Sequence, residues 1–308
     1  MKLYNNLSEF TPPENVVLTC GTFDGIHKGH MKLLERITSI AKETGGESVL
    51  LTFWPHPKIV LDPDFHLQLL STFEEKTALL KKAGIAHLVC VPFSREFSNL
   101  SPEEYIKDII VDKLGTKIIV IGYDHRFGKN RAGGLSELIK LSGPMGFKVE
   151  EISRQEIDDI VVSSTMIRKH LSQGEIHIGN EYLGHEFEIS GIVIRGDQRG
   201  RKIGFPTANI RVSSEHKLIP SDGSYAVRVK LNGEMLSGMI NIGFRPTING
   251  KQRSIEVNIF EFDQDIYGNQ ITIYFVKLIR KEIKFDNIEK LKHQLTKDKQ
   301  TALELLRI

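Results

Sequence analysis

Two textures of apolar patterning divide this chain. In the first, short and nearly unbroken apolar runs alternate with segments whose apolar positions recur every three or four residues. The runs are VVLTC (16–20), SVLLTF (48–53), HLVCVPF (87–93), KIIVIGY (117–123) and FKVEEI (147–152). After the first of them, Leu33, Leu34, Ile37, Ile40 and Ala41 fall on one helical face. Further helices are expected around 73–83, from Ser101, where Glu104 completes a capping box, and near 135–142. Strands without polar alternation, separated by helices, predict a parallel sheet covered on both faces, a doubly wound α/β domain. Ligands of such sheets bind at the carboxyl ends of the strands.

After about Leu183 the period changes to two. FEISGIVIRG, SYAVRVKLNGEML, SGMINIG, SIEVNIFEF and NQITIYFVKLI are short runs rich in Val, Ile and Tyr. Asn232-Gly233 between two of them is a two-residue hairpin signal. An antiparallel β-barrel or sandwich is predicted, followed by a helix from about Asn287 carrying Ile288, Leu291, Leu295, Ala302 and Leu306. The change of texture divides the chain into residues 1–184 and 185–308.

Composition adds little against this picture. The content is 40% hydrophobic and 26% charged over 308 residues, ordinary for a globular protein of two domains. The apolar runs are too short for a membrane span, and the N-terminus lacks a signal-peptide pattern, so a cytoplasmic protein is expected. Cys20 and Cys90 both lie in strand-like runs and read as buried reduced thiols. From residue 185 onward 20 Lys and Arg face 15 Asp and Glu, a balance of +5. That suits an anionic ligand such as a nucleotide and is too weak to argue for nucleic acid.

The candidate chemistry begins at GTFDGIHKGH (21–30), directly after the first strand. Metal binding would require a third ligand, and only the scattered His56 and His125 are on offer. A strand, a glycine-containing turn and a helix start form an anion site, since unpaired N–H groups and the positive helix end face outward. His27 and His30, three apart, share a face once the helix has begun. The setting therefore favours phosphate over metal or an incidental turn. The segment GYDHRFGKNRAGG (122–134) is either a ligand loop or a solvated one. In the second half, GRKIGFPTAN (200–209) combines glycines, the cations Arg201 and Lys202, and the oxygen-bearing Thr207 and Asn209. Those two point to one side of an extended segment, where neutral oxygens could hold Mg²⁺ with nucleotide phosphates. Glu256, within SIEVNIFEF, is an outward-facing strand carboxylate or a general base at a site rim.

HKGH at the first strand–helix turn resembles the HxGH signature of nucleotidylyltransferases, and SSTMIR (163–168) resembles that superfamily's second element. The whole chain resembles the bacterial bifunctional riboflavin kinase/FMN adenylyltransferases, or FAD synthetases. The resemblance runs through GTFDGIHKGH, TFWPHP, GYDHRFG, VSSTMIR, GRKIGFPTANI, YAVRV, GMINIGFRPT, IEVNIFEFDQDIYG and RKEIKFDNIEKLKHQLTKDK. It implies a nucleotidylyltransferase domain that adenylylates FMN to FAD, followed by a β-barrel domain that phosphorylates riboflavin to FMN. ATP, riboflavin, FMN and FAD are then substrates or products, and Mg²⁺ the cofactor. It also implies a monomer or weak homo-oligomer with no nucleic-acid or membrane partner.

The resemblance assigns catalysis of adenylyl transfer to His27, His30 and Arg168. Gly21, Phe23, Asp24, Gly29, Ser163, Ser164 and Thr165 would bind ATP, and His56, Asp124 and Arg126 the flavin. For the kinase it implies Glu256 as base, Gly200, Arg201, Lys202, Gly204 and Pro206 on ATP, and Thr207 and Asn209 on Mg²⁺. Three positions depart from the family pattern. His125 stands where Phe is frequent, Ser224 where Val is usual and Asn258 where His is common. The HxGH pattern is also similar to class I aminoacyl-tRNA synthetases, but the β-half carries no concentrated basic stripe or RNA-stacking aromatic motif.

Overall fold

A computed structural model describes residues 1–123, 125–152, 162–196, 199–247 and 250–307. The chain forms two compact units, residues 1–67 with 72–163, and residues 68–71 with 164–308.

The first unit is a six-stranded sheet of β1 (Lys2–Tyr4), β2 (Val16–Cys20), β3 (Glu47–Trp54), β4 (His87–Pro92), β5 (Thr116–Gly122) and β6 (Lys148–Ile152). The order is β1-β4-β3-β2-β5-β6, and every neighbouring pair is parallel. Five of these strands follow from the apolar runs. The sixth, β1, is a three-residue edge strand of mostly exposed residues, and its KLY sequence carries no strand signal.

The unbroken apolar character of the inner strands has a direct cause: successive residues feed opposite cores. Val16, Leu18, Val49, Leu51, Ile119 and Ile121 pack on one side with Tyr105, Ile106, Ile110 and Leu138. Val17, Leu50, Leu88 and Val120 pack on the other with Leu34, Ile37, Ile40 and Leu80. The second group comes from α1 (Lys28–Glu43) and α2 (Phe73–Lys82). The first comes partly from α3 (Leu135–Met145). Ser101 caps its helix as its spacing predicts, with a capping box to Glu104, and the helix then widens into a π-helical stretch over Tyr105–Lys113.

The second unit is a closed antiparallel barrel, in the order β10-β11-β8-β7-β12-β9. Its strands are β7 (Phe187–Ile194), β8 (Ala208–Val212), β9 (Gly223–Leu231), β10 (Glu234–Thr247), β11 (Gly250–Ile259) and β12 (Gln270–Lys281). The β9–β10 hairpin turns at Asn232-Gly233, both at positive φ, the geometry its sequence predicts. Phe187, Tyr225 and Phe275 fill the interior, with ring centroids 5.4 to 5.9 Å apart along the series.

Helices α4 (Ser164–Ser172) and α5 (Ile176–Leu183) belong to this unit. Asn180 staples α5 to two strands, donating to the Phe275 carbonyl at 2.8 Å and accepting from the Phe187 N–H at 2.7 Å. The closing helix α6 (Ile288–Leu306) starts at the Asn287 cap and lays Ala302 and Leu306 over Ala226 and Met239 on the outside of the barrel. Arg280 on β12 reaches the buried Asp298 of α6, with Nη2 to Oδ2 at 2.8 Å.

Removing one partner of such a buried pair strands the other charge. Asp298→Ala should therefore lower the stability of the barrel by about 3 kcal/mol, read as faster native-state hydrogen exchange of the β12 amides. A loss below about 1 kcal/mol would place Arg280 in solvent contact, where charge pairs contribute little.

Candidate active sites

The strand order reverses at β2, which is hydrogen-bonded to β3 on one edge and β5 on the other. Connections leaving such a strand diverge to opposite sides and open a crevice at its carboxyl end. The chain leaves β2 there as Gly21 and enters α1 at Lys28. The intervening turn is strained, for Phe23 has φ 46° and Ile26 φ 42°, left-handed values that bulky and β-branched side chains avoid. Gly25, at φ 84°, carries the same geometry without a steric penalty. Such backbone persists only where the surroundings over-determine it.

The turn is held from below. The Phe23 ring is buried and lies 4.9 Å from the His30 ring, and a Cβ on Gly21 would come within 3.0 Å of it. Asp24 is 3% exposed. From α2, the buried Lys76 donates from Nζ to the Thr22 carbonyl at 2.9 Å.

His27 is the N-cap of α1, its Nδ1 accepting from the His30 N–H at 3.3 Å. An accepting Nδ1 places the ring proton on Nε2, so Nε2 is a donor. The two imidazoles stack at 3.6 Å with an interplanar angle of 18°. Burial, aided by the neighbouring His27 and Lys76, holds the His30 imidazole well below its ordinary pKa. Its Nδ1 is buried with no hydrogen-bond partner among the described residues. The result is a pair of stacked, neutral imidazoles at the mouth of a helix N-terminus, next to Gly29 in its first turn. Such groups donate hydrogen bonds to an anion, and His30 does so without titrating near neutrality.

His56 caps the short helix Pro57–Leu61, its Nδ1 accepting from the Lys58 N–H at 3.1 Å. Arg126 is exposed and lies over Gly134, where a Cβ would meet Nη1 at 2.4 Å. Phe127 pairs with Gly133 in both directions, 3.1 and 2.9 Å, and stacks on Tyr105 at 5.2 Å, so the loop of residues 125–134 is anchored through its centre. The departing residue His125 lies beside Phe127, ring centroids 5.8 Å apart. Asp124 falls outside the described residues. Ser163 is exposed at the end of the first unit, whereas Ser164, Thr165 and Arg168 open α4 in the second. Arg168 Nε donates to the Gln68 carbonyl at 2.7 Å.

The barrel carries a second site on its outer surface, beside α6. Ser224, Asn241, Glu256 and Asn209 are register partners across β9, β10, β11 and β8, forming one polar row over four strands. Ser224 donates to Asn241 Oδ1 at 3.0 Å. Both Glu256 oxygens are held, one by Thr207 Oγ1 at 3.2 Å and the other by Ser254 Oγ at 3.3 Å. Asn258 donates to the Pro206 carbonyl at 2.6 Å and so fixes the turn bearing Thr207. Glu256 thus faces neither the barrel core nor open solvent.

It lines a cavity of about 250 Å³ whose other walls include Phe205, Met239, Ile283, Phe285 and Leu295. Glu282 and Arg280 also line this cavity, and Asn241 Nδ2 reaches Glu282 Oε2 at 3.5 Å. Burial pushes the Glu282 carboxyl above the usual carboxylate range, against the opposing effects of Asn241 and Arg280. A smaller cavity of about 120 Å³ shares Thr207 and is lined by Arg201, Pro206 and Asp263–Tyr267. Gly200 permits this closeness, as a Cβ there would lie 2.2 Å from the Phe205 carbonyl oxygen. Gly204 turns at φ 85°. The Lys202 side chain lies outside the described part.

The residues fit Mg²⁺ bound with a nucleotide. Among the described residues no group of three or more His, Cys, Asp or Glu could cage a metal. Thr207 and Asn209 instead offer neutral oxygens beside a carboxylate, the donor set of an ion that keeps waters and takes phosphate oxygens. A Cβ on Gly196 would sit 2.2 Å from Asn209 Nδ2, so the chain leaves that side chain room.

Comparison with known proteins gives the family of the chain. The family model for FAD synthetase matches residues 10–166, and that for riboflavin kinase matches residues 183–306. The bifunctional riboflavin kinase/FMN adenylyltransferase of Bacillus subtilis is 40% identical over 293 residues, spanning 93% of this chain and 91% of that protein. The Escherichia coli protein of the same description is 36% identical over 301 residues, 97% and 95% of the two chains. The chain belongs to the bifunctional riboflavin kinase/FMN adenylyltransferase family. A crystal structure from Streptococcus pneumoniae, described as a macrolide-efflux protein, shares the fold with a TM-score of 0.86 and 30% identity over 98% of both chains. No helix among the described residues is long and apolar enough to cross a membrane.

Within this family member, the adenylyltransferase motif has a titration signature. A His with a depressed folded pKa stays neutral in the folded chain while the unfolded chain gains a proton below about 6.5. Its contribution to stability is complete above that value and is lost as pH falls below it. The His30 ring protons should therefore show no titration between pH 8 and 6 by NMR. A His30 titration midpoint at or above about 6.5, the ordinary value, would contradict its burial.

Proposed function

We propose that the two sites carry successive reactions. The barrel unit phosphorylates riboflavin with ATP to give FMN and ADP, and the parallel-sheet unit joins FMN to the AMP moiety of a second ATP, giving FAD and pyrophosphate. The assignment of the activities follows the family and the order of its two domains. The observation that carries the residue assignment is the contrast in ionisable groups: a held carboxylate in one site, neutral imidazoles in the other.

The nucleophile of the first step is a neutral ribityl hydroxyl, which must lose its proton as it bonds to the γ-phosphorus. Glu256 is placed to take that proton, its carboxylate fixed by Thr207 and Ser254. The bond from phosphorus to the bridging oxygen breaks and ADP leaves. The apolar walls of Phe205, Met239, Phe285 and Leu295 suit the flavin ring in the larger cavity. Arg201 and Pro206 suit the nucleotide in the smaller one, and we assign Gly200, Gly204 and Lys202 of the same turn to that nucleotide. Thr207 and Asn209 would hold Mg²⁺, which when bound neutralises the phosphate charge.

In the second step the nucleophile is the FMN phosphate, already ionised near neutral pH, so no base is needed. One of its oxygens bonds to the α-phosphorus of ATP as the bond to pyrophosphate breaks. What the site must supply is position and charge stabilisation. His27 Nε2–H, His30, the backbone of Gly21 to Gly29 and the helix N-terminus supply it. We assign Ser163, Ser164, Thr165 and Arg168 to the same ATP, and His56, Asp124 and Arg126 to the flavin. In this reading the adenylyltransferase domain runs to about residue 184, and the enzyme works on small molecules as a cytoplasmic monomer or weak homo-oligomer.

His30→Ala should lower FAD formation from FMN by at least about a hundredfold, the usual loss when an oxyanion donor is removed. Riboflavin phosphorylation by the same preparation should be unchanged. Equal loss of both activities in a folded variant would sink the two-site assignment. Glu256→Gln should do the reverse, lowering riboflavin phosphorylation by about 10² to 10⁴ while added FMN is still converted. Near-normal phosphorylation in that variant would put the base elsewhere.

A further inference from the structure

Lys76 stands outside every motif that carries the family resemblance, yet it touches the adenylyltransferase turn. It is 2% exposed, lies on α2, and sends its Nζ to the Thr22 carbonyl, with the Trp54 ring centroid 5.2 Å away. Burying an ammonium costs several kcal/mol, about what a dry ion pair must recover. A neutral donor could satisfy one carbonyl without that cost. The groups facing Lys76 explain why a charge is kept. Asp24 comes from the turn, His30 from α1 and Cys90 from β4, and Glu75 adjoins it on its own helix. Asp24 is negative and buried within the same four-residue stretch as the two left-handed residues Phe23 and Ile26.

We propose that Lys76 is a positioning residue for adenylyl transfer, its ammonium locking the strained Thr22–Ile26 backbone through Thr22 and Asp24 so that His27 and His30 meet the ATP α-phosphate. This rests on the reading of those two histidines given above. The same charge helps keep His30 neutral. Burial lowers the Lys76 pKa to about 8, with Asp24 and Cys90 pulling it back toward its ordinary value. Geometry and charge together then predict that the lock loosens as pH rises through about 8.

The test uses the full chain, FMN, ATP and Mg²⁺, with FAD formation measured from pH 6 to 10 and riboflavin phosphorylation as an internal fold control. Lys76→Met should lower FAD formation at least about tenfold, expressed in kcat more than in KM, with riboflavin phosphorylation within about twofold of the parent. Lys76→Arg, which keeps a charge at every accessible pH, should restore most of the rate and move the alkaline decline upward by at least about one pH unit. A buttress that only fills space would not move that decline. The proposal is overturned if Lys76→Met keeps FAD formation within about twofold, or if the decline of Lys76→Arg stays where the parent's lies. Should Lys76→Met fail to fold, the Lys76→Arg profile decides alone. A parent chain that forms no FAD would overturn the activity itself, and an active His30→Ala the histidine reading, so neither outcome is confused with failure of the Lys76 role.

Discussion

Everything in the first unit depends on β2 being hydrogen-bonded along both edges. With β3 on one side and β5 on the other, the strand has no open edge, and the chain can leave it only from the carboxyl end. The crossovers on its two sides pack helices on opposite faces, which is why consecutive residues Val16, Val17 and Leu18 enter different cores. The crevice between those crossovers is where the chain makes its most contorted turn. Phe23 and Asp24 are driven inward there, and the two imidazoles are left stacked at the helix start. Strain of order 1–3 kcal/mol per left-handed non-glycine residue is tolerated because Phe23 and Ile26 are both buried in the core beneath the turn.

The barrel solves the opposite problem. Its interior is closed by Phe187, Tyr225 and Phe275, so reactive groups cannot sit inside. They are displayed on the outer face instead, in a row where strand register brings Ser224, Asn241, Glu256 and Asn209 side by side. The helix α6, clamped by the Arg280–Asp298 pair, roofs part of that face with Leu291 and Leu295 and turns an exposed sheet surface into a cavity. A carboxylate flanked by hydroxyls under an apolar roof suits proton abstraction from an alcohol. Neutral imidazoles at a helix N-terminus suit a reaction whose nucleophile is already charged.

Much of this was legible in the chain. The period change near Leu183, the Asn232-Gly233 turn, the Ser101–Glu104 cap and the helical face from Leu33 to Ala41 all appear where their local physics places them. The edge strand β1 was not legible, because three mostly exposed residues make no pattern and only pairing with β4 defines them. Periodicity alone left Glu256 with two readings, an outward strand residue or a base. Its cavity position depends on α6, which lies some thirty residues further on. Asn241 and Glu282 belong to no motif that marks them as site residues, although a lone Asn inside the apolar stretch GMINIG is an available signal. Lys76 was invisible in principle: on a helix spaced like any amphipathic surface helix, nothing local marks a lysine as buried. The compact units also part at Ser163, while the period changes near Leu183, because α4 and α5 keep helical spacing yet pack with the barrel unit.

The central claim is a division of chemistry: the base lies in the barrel, and the sheet unit works without one. The most direct test supplies Glu256→Gln and the parent chain with FMN or riboflavin and ATP labelled at either the α- or the γ-phosphorus. In the parent given riboflavin, γ-label should enter both FMN and FAD, and α-label FAD alone. In Glu256→Gln given FMN, α-label should still enter FAD at the parental rate while γ-label enters neither flavin. Loss of α-label incorporation in that folded variant would contradict the account, because it would make the barrel carboxylate part of adenylyl transfer.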